Sequence, residues 1–127
     1  MVSSGRRILI VEDNADAREA LRVLLELDGH TVEAAAEGLK AIEIASAKVP
    51  DIALVDIGLP GLDGYGVARE LRKLSGRRSV LIALTGYGQP DDQERTRAAG
   101  FDQHLVKPVN PKLLSRLLQD EAAAAGR

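Results

Sequence analysis

The stretch DIALVDIGLPGLDG, Asp51–Gly64, decides how this chain is read. Its apolar part, Ile52-Ala53-Leu54-Val55, has strand length and suits a sheet covered on both faces. A bare carboxylate, Asp56, closes the run, and the chain then turns through Gly58-Leu59-Pro60-Gly61. A charge at the mouth of a buried strand is costly unless something beside it needs it.

The same kind of apolar run recurs outward in both directions. Ile8–Val11, Val80–Leu84 and the shorter Leu105-Val106 read as strands, and the mixed Thr31–Ala34 reads as an edge strand. Helical patterns lie between and after them. Ala17, Leu21, Leu24 and Leu25 share one face of a first helix, with Asn14 as cap and Gly29 as stop. Leu39, Ile42 and Ala45 give a second inward stripe, and Val67, Leu71 and Leu74 a third that ends at Gly76. The segment Pro90–Gly100 has helical propensity but almost no large apolar residue, so weak packing is expected of it. A last helix is capped by Asn110, starts with Pro111 and turns Leu113, Leu114, Leu117 and Leu118 inward. Five β-α units in succession predict an α/β fold, a doubly wound five-stranded parallel sheet with right-handed crossovers and helices on both faces.

Bulk properties narrow the class. At 127 residues the chain is one domain, long enough to hide roughly two-thirds of its unfolded surface. With 45% hydrophobic and 28% charged residues it is globular, and a net charge of −2 argues against nucleic acid or an anionic membrane as partner. The absence of cysteine excludes disulfides and thiolate metal sites and fits a cytoplasmic location. No apolar run approaches a membrane span, and MVSSGRR lacks the apolar centre of a signal peptide. The expected layout is a disordered leader over 1–6, a domain over 7–120 and a frayed tail over 121–127.

In an open parallel sheet, chemistry collects beyond the carboxyl ends of the strands. Glu12 and Asp13 follow the first run, Asp56 the third, Thr85 the fourth and Lys107 the fifth. Three neighbouring carboxylates repel one another by roughly 4 kcal/mol per close pair at an effective dielectric of 20. A hard divalent cation removes that cost, and an all-oxygen site suits Mg²⁺ completed by substrate phosphate. Lys107 adds a compact positive charge, Thr85 a hydroxyl, and the turn after Asp56 the carbonyl of Gly58. The set describes a site for an incoming phosphoryl group, with Asp56 as nucleophile.

VEDN (11–14), ALVDIGLPGLDG (53–64), ALTGYG (83–88) and HLVKP (104–108), in that order, resemble the receiver domain of two-component response regulators from about Arg7 to Leu118. The resemblance implies a flavodoxin-like (βα)5 fold with strand order 2-1-3-4-5 and a cis bond before Pro108. It implies transfer of a phosphoryl group from a phosphohistidine of a sensor histidine kinase, or of a phosphotransfer domain, to Asp56. It also implies Mg²⁺ held by Glu12, Asp13, Asp56 and the Gly58 carbonyl, with Thr85 and Lys107 on the phosphoryl oxygens. The domain would then be a signalling phosphoacceptor that catalyses its own phosphorylation and slow dephosphorylation, not an enzyme acting on other substrates. Members often carry Tyr or Phe three residues before the lysine as a switch; here that residue is His104. Tyr87, two residues after Thr85, is placed to crowd the site. The wording TGYG and FDQHLVKP resembles receivers of hybrid sensor kinases. These 127 residues leave no room for a DNA-binding effector, so output by contact with a downstream protein is expected.

Plainer readings stand beside these. Asp56 as a polar strand terminator, Glu12-Asp13 as acids at a helix start, and Thr85 as a turn residue each fit locally. Asp63 reads as a solvated turn or cap, Tyr65 as packing, His30 as turn chemistry and His104 as a half-exposed strand residue. Two other functions share the architecture. A flavin- or nucleotide-binding domain, or a phosphate-independent scaffold, fits the fold, but VEDNADA puts acids where a phosphate cradle would need glycines. An aspartyl phosphatase would want an acid two residues after Asp56, where this chain has Gly58.

Overall fold

The strands β1 (Arg7–Val11), β2 (Thr31–Ala35), β3 (Ile52–Asp56), β4 (Val80–Thr85) and β5 (Gln103–Val106) form one parallel sheet in the order β2-β1-β3-β4-β5. They alternate with α1 (Ala15–Leu27), α2 (Gly38–Ala47), α3 (Gly64–Ser75), α4 (Gln93–Ala99) and α5 (Pro111–Ala125). The computed structural model describes residues 5–76, 78–86 and 93–125, without the side chains of 93 and 120–125; Tyr87 therefore lies outside the described residues. Among the described residues no helix is long and apolar enough to cross a membrane.

Alternation along each strand divides the core between the two faces of the sheet. Leu9, Val11, Ala53, Val55, Leu81 and Ala83 point to the face covered by α2 and α3, where Ala99 and Phe101 also pack. Ile8, Ile10, Ile52, Leu54, Ile82 and Leu84 point to α1 and α5 through Leu21, Leu25, Leu114 and Leu118. The continuous apolar runs are thus two interleaved core faces, which is why they show no polar gap. Edge strand β2 pairs with β1 alone among the described residues and alternates in burial, as its mixed composition predicts.

The caps follow the sequence. Asn14 Oδ1 accepts from Ala17 N at 2.9 Å, Asp63 Oδ1 from Gly66 N at 2.9 Å, and Asn110 Oδ1 from Lys112 N at 2.9 Å. Gly29 and Gly76 take positive φ at the ends of α1 and α3.

Two expectations are corrected. Leu39 is 70% exposed, because α2 faces the core through Gly38, Ala41 and Ala45. A Cβ at residue 38 would stand 2.7 Å from Val67 Cγ2 and 2.8 Å from Leu62 O, so close approach to α3 sets the rotation of α2 and turns Leu39 outward. Leu113 is 49% exposed, because Leu114 and Leu118, one turn apart, take the inner face of α5. Ahead of β1, Arg6 N donates to His30 Nδ1 and Thr31 N to Arg6 O, each at 3.0 Å. Helix α5 ends in a run of alanines, the strongest helix formers.

Arg72 ties one end of the sheet together. Its guanidinium donates to Gly100 O at 2.9 Å, Gly76 O at 2.8 Å, Ser79 O at 2.6 Å and Asp102 Oδ2 at 2.5 Å. It joins the end of α3 to the start of β4 and the turn after α4. As expected from its composition, α4 buries little, namely Thr96 and Ala99 among its described side chains. Arg95 also stacks over Tyr65 of α3, 4.1 Å from the ring centroid.

Candidate functional site

Register brings the predicted residues together. The β1–β3 ladder ends on Val11 opposite Val55, so the next residues, Glu12 and Asp56, lie side by side at the carboxyl end of the sheet. Asp56 pairs with Leu84 and Thr85 with Val106, which places Thr85 and Lys107 one step beyond the same edge. Glu12, Asp13 and Asp56 each offer a carboxylate oxygen within 4.8 Å of the other two.

Burial differs among the acids. Glu12 is fully buried, Asp56 is 6% exposed and Asp13 faces solvent. Lys107 Nζ bridges the two inner ones, 3.0 Å from Glu12 Oε1 and 3.0 Å from Asp56 Oδ2. The remaining oxygens are bonded too: Asn14 N donates to Glu12 Oε2 at 3.1 Å and Gly58 N to Asp56 Oδ1 at 2.8 Å. Burial pushes the Glu12 carboxyl above the usual range, and the Asp56 charge adds to this, against the opposing bonds from Lys107 and Asn14. Burial alone would lower the Lys107 ammonium; bonds to Glu12 and Asp56, with their charges, raise it instead. Lys107 therefore remains a cation between two carboxylates. The Lys107–Pro108 peptide is cis.

The arrangement fits a hard cation. Three carboxylates facing one ammonium leave surplus negative charge on an oxygen-only donor set, the chemistry that selects Mg²⁺ over softer metals. Thr85 stands at the edge with its hydroxyl donating to Leu105 O at 3.4 Å, a long bond toward β5. His104 is exposed, in a hollow of about 130 Å³ lined also by Arg97 and Phe101, rather than among the acids. Asp63 caps α3 and Tyr65 packs in the core.

Two features escaped the sequence reading. Gly64 lets the start of α3 press on the Asp56 turn: a Cβ there would lie 2.5 Å from Asp56 O and 2.4 Å from Ile57 Cα. Arg18 reaches back along α1 to donate to Glu12 O at 2.9 Å and Asp13 O at 3.5 Å. Helical side chains lean toward the helix N-terminus, so an arginine in the second turn was the available signal.

The model of the response regulator receiver domain family matches residues 8–119. The receiver domain of the sensor histidine kinase PA1611 from Pseudomonas aeruginosa is 37% identical, with a TM-score of 0.84 over 94% of this chain and 98% of that one. Its crystal structure holds a magnesium ion coordinated in the active-site cleft. A probable transcriptional regulator, ycf27, of Guillardia theta is 38% identical over 89% of this chain and 44% of its own length. A 14.6 kDa protein from the sodA1 3′ region of Leptolyngbya boryana is 34% identical over 92% of this chain and 90% of its own length. The chain spans about half the length of most of the curated relatives it matches. The parallel sheet with its acids and lysine at one edge, and the family match over nearly the whole chain, agree: this chain belongs to the response regulator receiver domain family.

Proposed function

We propose that Asp56 accepts a phosphoryl group from a phosphohistidine of a sensor histidine kinase or a phosphotransfer domain. The observation that carries this is Lys107, whose single ammonium is shared at 3.0 Å by Asp56 and the buried Glu12. Glu12, Asp13, Asp56 and the Gly58 carbonyl are the residues that would hold Mg²⁺. When bound, the ion supplies positive charge to the phosphoryl oxygens.

A carboxylate oxygen of Asp56 attacks phosphorus; the O–P bond forms as the P–N bond to the donor imidazole breaks. The electron pair returns to the imidazole, which takes a proton from solvent. Gly58 N and Lys107 Nζ orient the Asp56 carboxylate before attack. Lys107, kept charged by its two partners, then turns its ammonium to the incoming phosphoryl oxygens. The Thr85 hydroxyl, now on a long bond to Leu105 O, exchanges it for a phosphoryl oxygen and reports the event toward β5 and His104. Slow hydrolysis at the same site ends the signal.

Output follows by contact with a downstream protein in the cytoplasm. Relatives include both a sensor-kinase receiver domain and a probable transcriptional regulator, and output by protein contact is compatible with either setting.

Intact-protein mass after incubation with a small phosphoryl donor tests the assignment, with and without Mg²⁺, on wild type and Asp56→Asn. A single Mg²⁺-dependent adduct absent from the variant is expected. An equal adduct on Asp56→Asn, or none on wild type with donor and with purified kinase, overturns it.

A further inference from the structure

Two of the three acids of the site, Glu12 and Asp13, sit on the loop between β1 and α1, and a residue outside the acid–lysine cluster helps to hold that loop. Arg18 Nη1 lies 2.9 Å from the carbonyl of Glu12 and 3.5 Å, the long limit of a hydrogen bond, from that of Asp13. These are the two adjacent residues whose side chains enter the cluster. The arginine's own position is set elsewhere. Its backbone N–H donates to Asn14 O at 2.9 Å, and α1 is rooted in the core by Leu21 and Leu25.

We propose that Arg18 is a positioning residue that holds Glu12 and Asp13 in place for a divalent cation. This rests on reading the acid cluster as the cation and phosphoryl site. Glu12 is anchored on its other sides by Glu12 N to Ala35 O at 3.1 Å and by Asn14 N on its carboxylate. Asp13 is exposed, and without a cation its charge is repelled by Glu12 and Asp56 toward water. The guanidinium opposes that drift by holding the backbone through its carbonyls. Its planar fork donates to neighbouring carbonyls as a flexible ammonium does not, so lysine is a partial substitute.

Arg18 is also a cation near a cation site, and that effect has the opposite sign. Were charge repulsion the larger influence, removing Arg18 would tighten Mg²⁺ binding. Positioning predicts weaker binding, near the lower end of the tenfold to hundredfold loss typical of groups that orient metal ligands.

Titration calorimetry of Mg²⁺ on the whole chain separates the two. For Arg18→Met the dissociation constant is expected to rise about tenfold, with Arg18→Lys between it and wild type. In the metal-free protein, amide exchange should quicken at Asp13 and Asn14 while the β3 and β4 amides keep their protection. That pattern is local, and a general loss of stability would not produce it. Unchanged or tighter Mg²⁺ binding in Arg18→Met overturns the proposal, and if that variant fails to fold, wild-type affinity in Arg18→Lys with unchanged exchange at Asp13 does the same. No Mg²⁺ binding by wild type is a different failure: it sinks the reading of the acid cluster, and the role of Arg18 with it.

Discussion

Lys107 Nζ lies 3.0 Å from Asp56 Oδ2, although β5, which Lys107 follows, is separated from β3 by the whole of β4. The lysine's long stem spans that strand, and the same ammonium touches Glu12 at the end of β1. One positive charge thus serves two carboxylates while a third, Asp13, stands beside them. The metal-free site is electrostatically overloaded on the acid side, and this surplus is what a cation relieves.

Removing one acid should therefore stabilise the metal-free domain while disabling it. Asp13→Asn is expected to raise the thermal midpoint by a few degrees, on the order of 1 kcal/mol after solvent screening. The same variant should lose most of the Mg²⁺-induced shift seen in wild type. Thermal scans with and without Mg²⁺ check both halves; a lowered metal-free midpoint would contradict the repulsion argument.

Gly64 links packing to chemistry. With a Cβ the start of α3 would stand 2.5 Å from Asp56 O, so Gly64→Ala must displace the acceptor turn. A loss of about 1–3 kcal/mol in urea unfolding is expected, with slower phosphorylation of Asp56. Wild-type phosphorylation kinetics in a destabilised variant would mean the turn absorbs the strain without moving Asp56.

Arg72 is a stability residue without a role at the site. Arg72→Met strips donors from the carbonyls of Gly76, Ser79 and Gly100 and from Asp102, whose Oδ2 keeps only the Leu81 N–H bond at 2.8 Å. Charged hydrogen bonds of this kind suggest a cost of about 2–4 kcal/mol. Denaturant midpoints should show it, while the Mg²⁺ affinity of the folded variant stays at the wild-type value.

His30 gives the domain an acid sensitivity remote from the acids of the site. Arg6 N donates to Nδ1, which requires the neutral imidazole at that atom. Burial lowers the His30 pKa below its ordinary 6.5, with Arg6 acting in the same direction and Asp28 against it. The folded state thus binds the proton less readily than the unfolded one. The contribution is fully present above about pH 6.5 and is lost as pH falls through the lower folded-state value. Losing one hydrogen bond costs about 0.5–1 kcal/mol. Stability measured from pH 7.5 to 5 should fall by that much more in wild type than in His30→Gln; parallel curves would refute it.

Helix α4 buries no large apolar side chain among its described residues. It buries only Thr96 and Ala99 among its described side chains and leans on Tyr65 through Arg95. Its amides, Gln93–Ala99, should exchange fastest among the helices and change most when a phosphoryl mimic is added. Unaltered protection across α4 in the presence of the mimic would place the response elsewhere.

How much of this was legible in the chain depends on the range of the interaction concerned. The caps at Asn14, Asp63 and Asn110 act within three residues, so their side chains could be read against the helix that follows. The four strand-end groups were legible because parallel strands all deliver their carboxyl ends to one edge. Leu39 and Leu113 misled because periodicity gives a helix an apolar side but not its rotation. That rotation is settled by the partner, here the contact of Gly38 with Val67 and Leu62.

The sequence by itself determined the alternation of strands and helices, the two-sided apolar character of the sheet, and the acids and lysine that end at its edge. These follow from local propensity and burial, which each segment carries with it. Only the tertiary structure decided that Lys107 bridges Glu12 and Asp56, that Thr85 turns to Leu105, that Arg18 holds the acidic loop and that Arg72 joins α3 to β4 and β5. Those pairings depend on ångström-scale distances between segments far apart in the chain. Packing of the two helical layers against one sheet sets such distances, and no single segment encodes them.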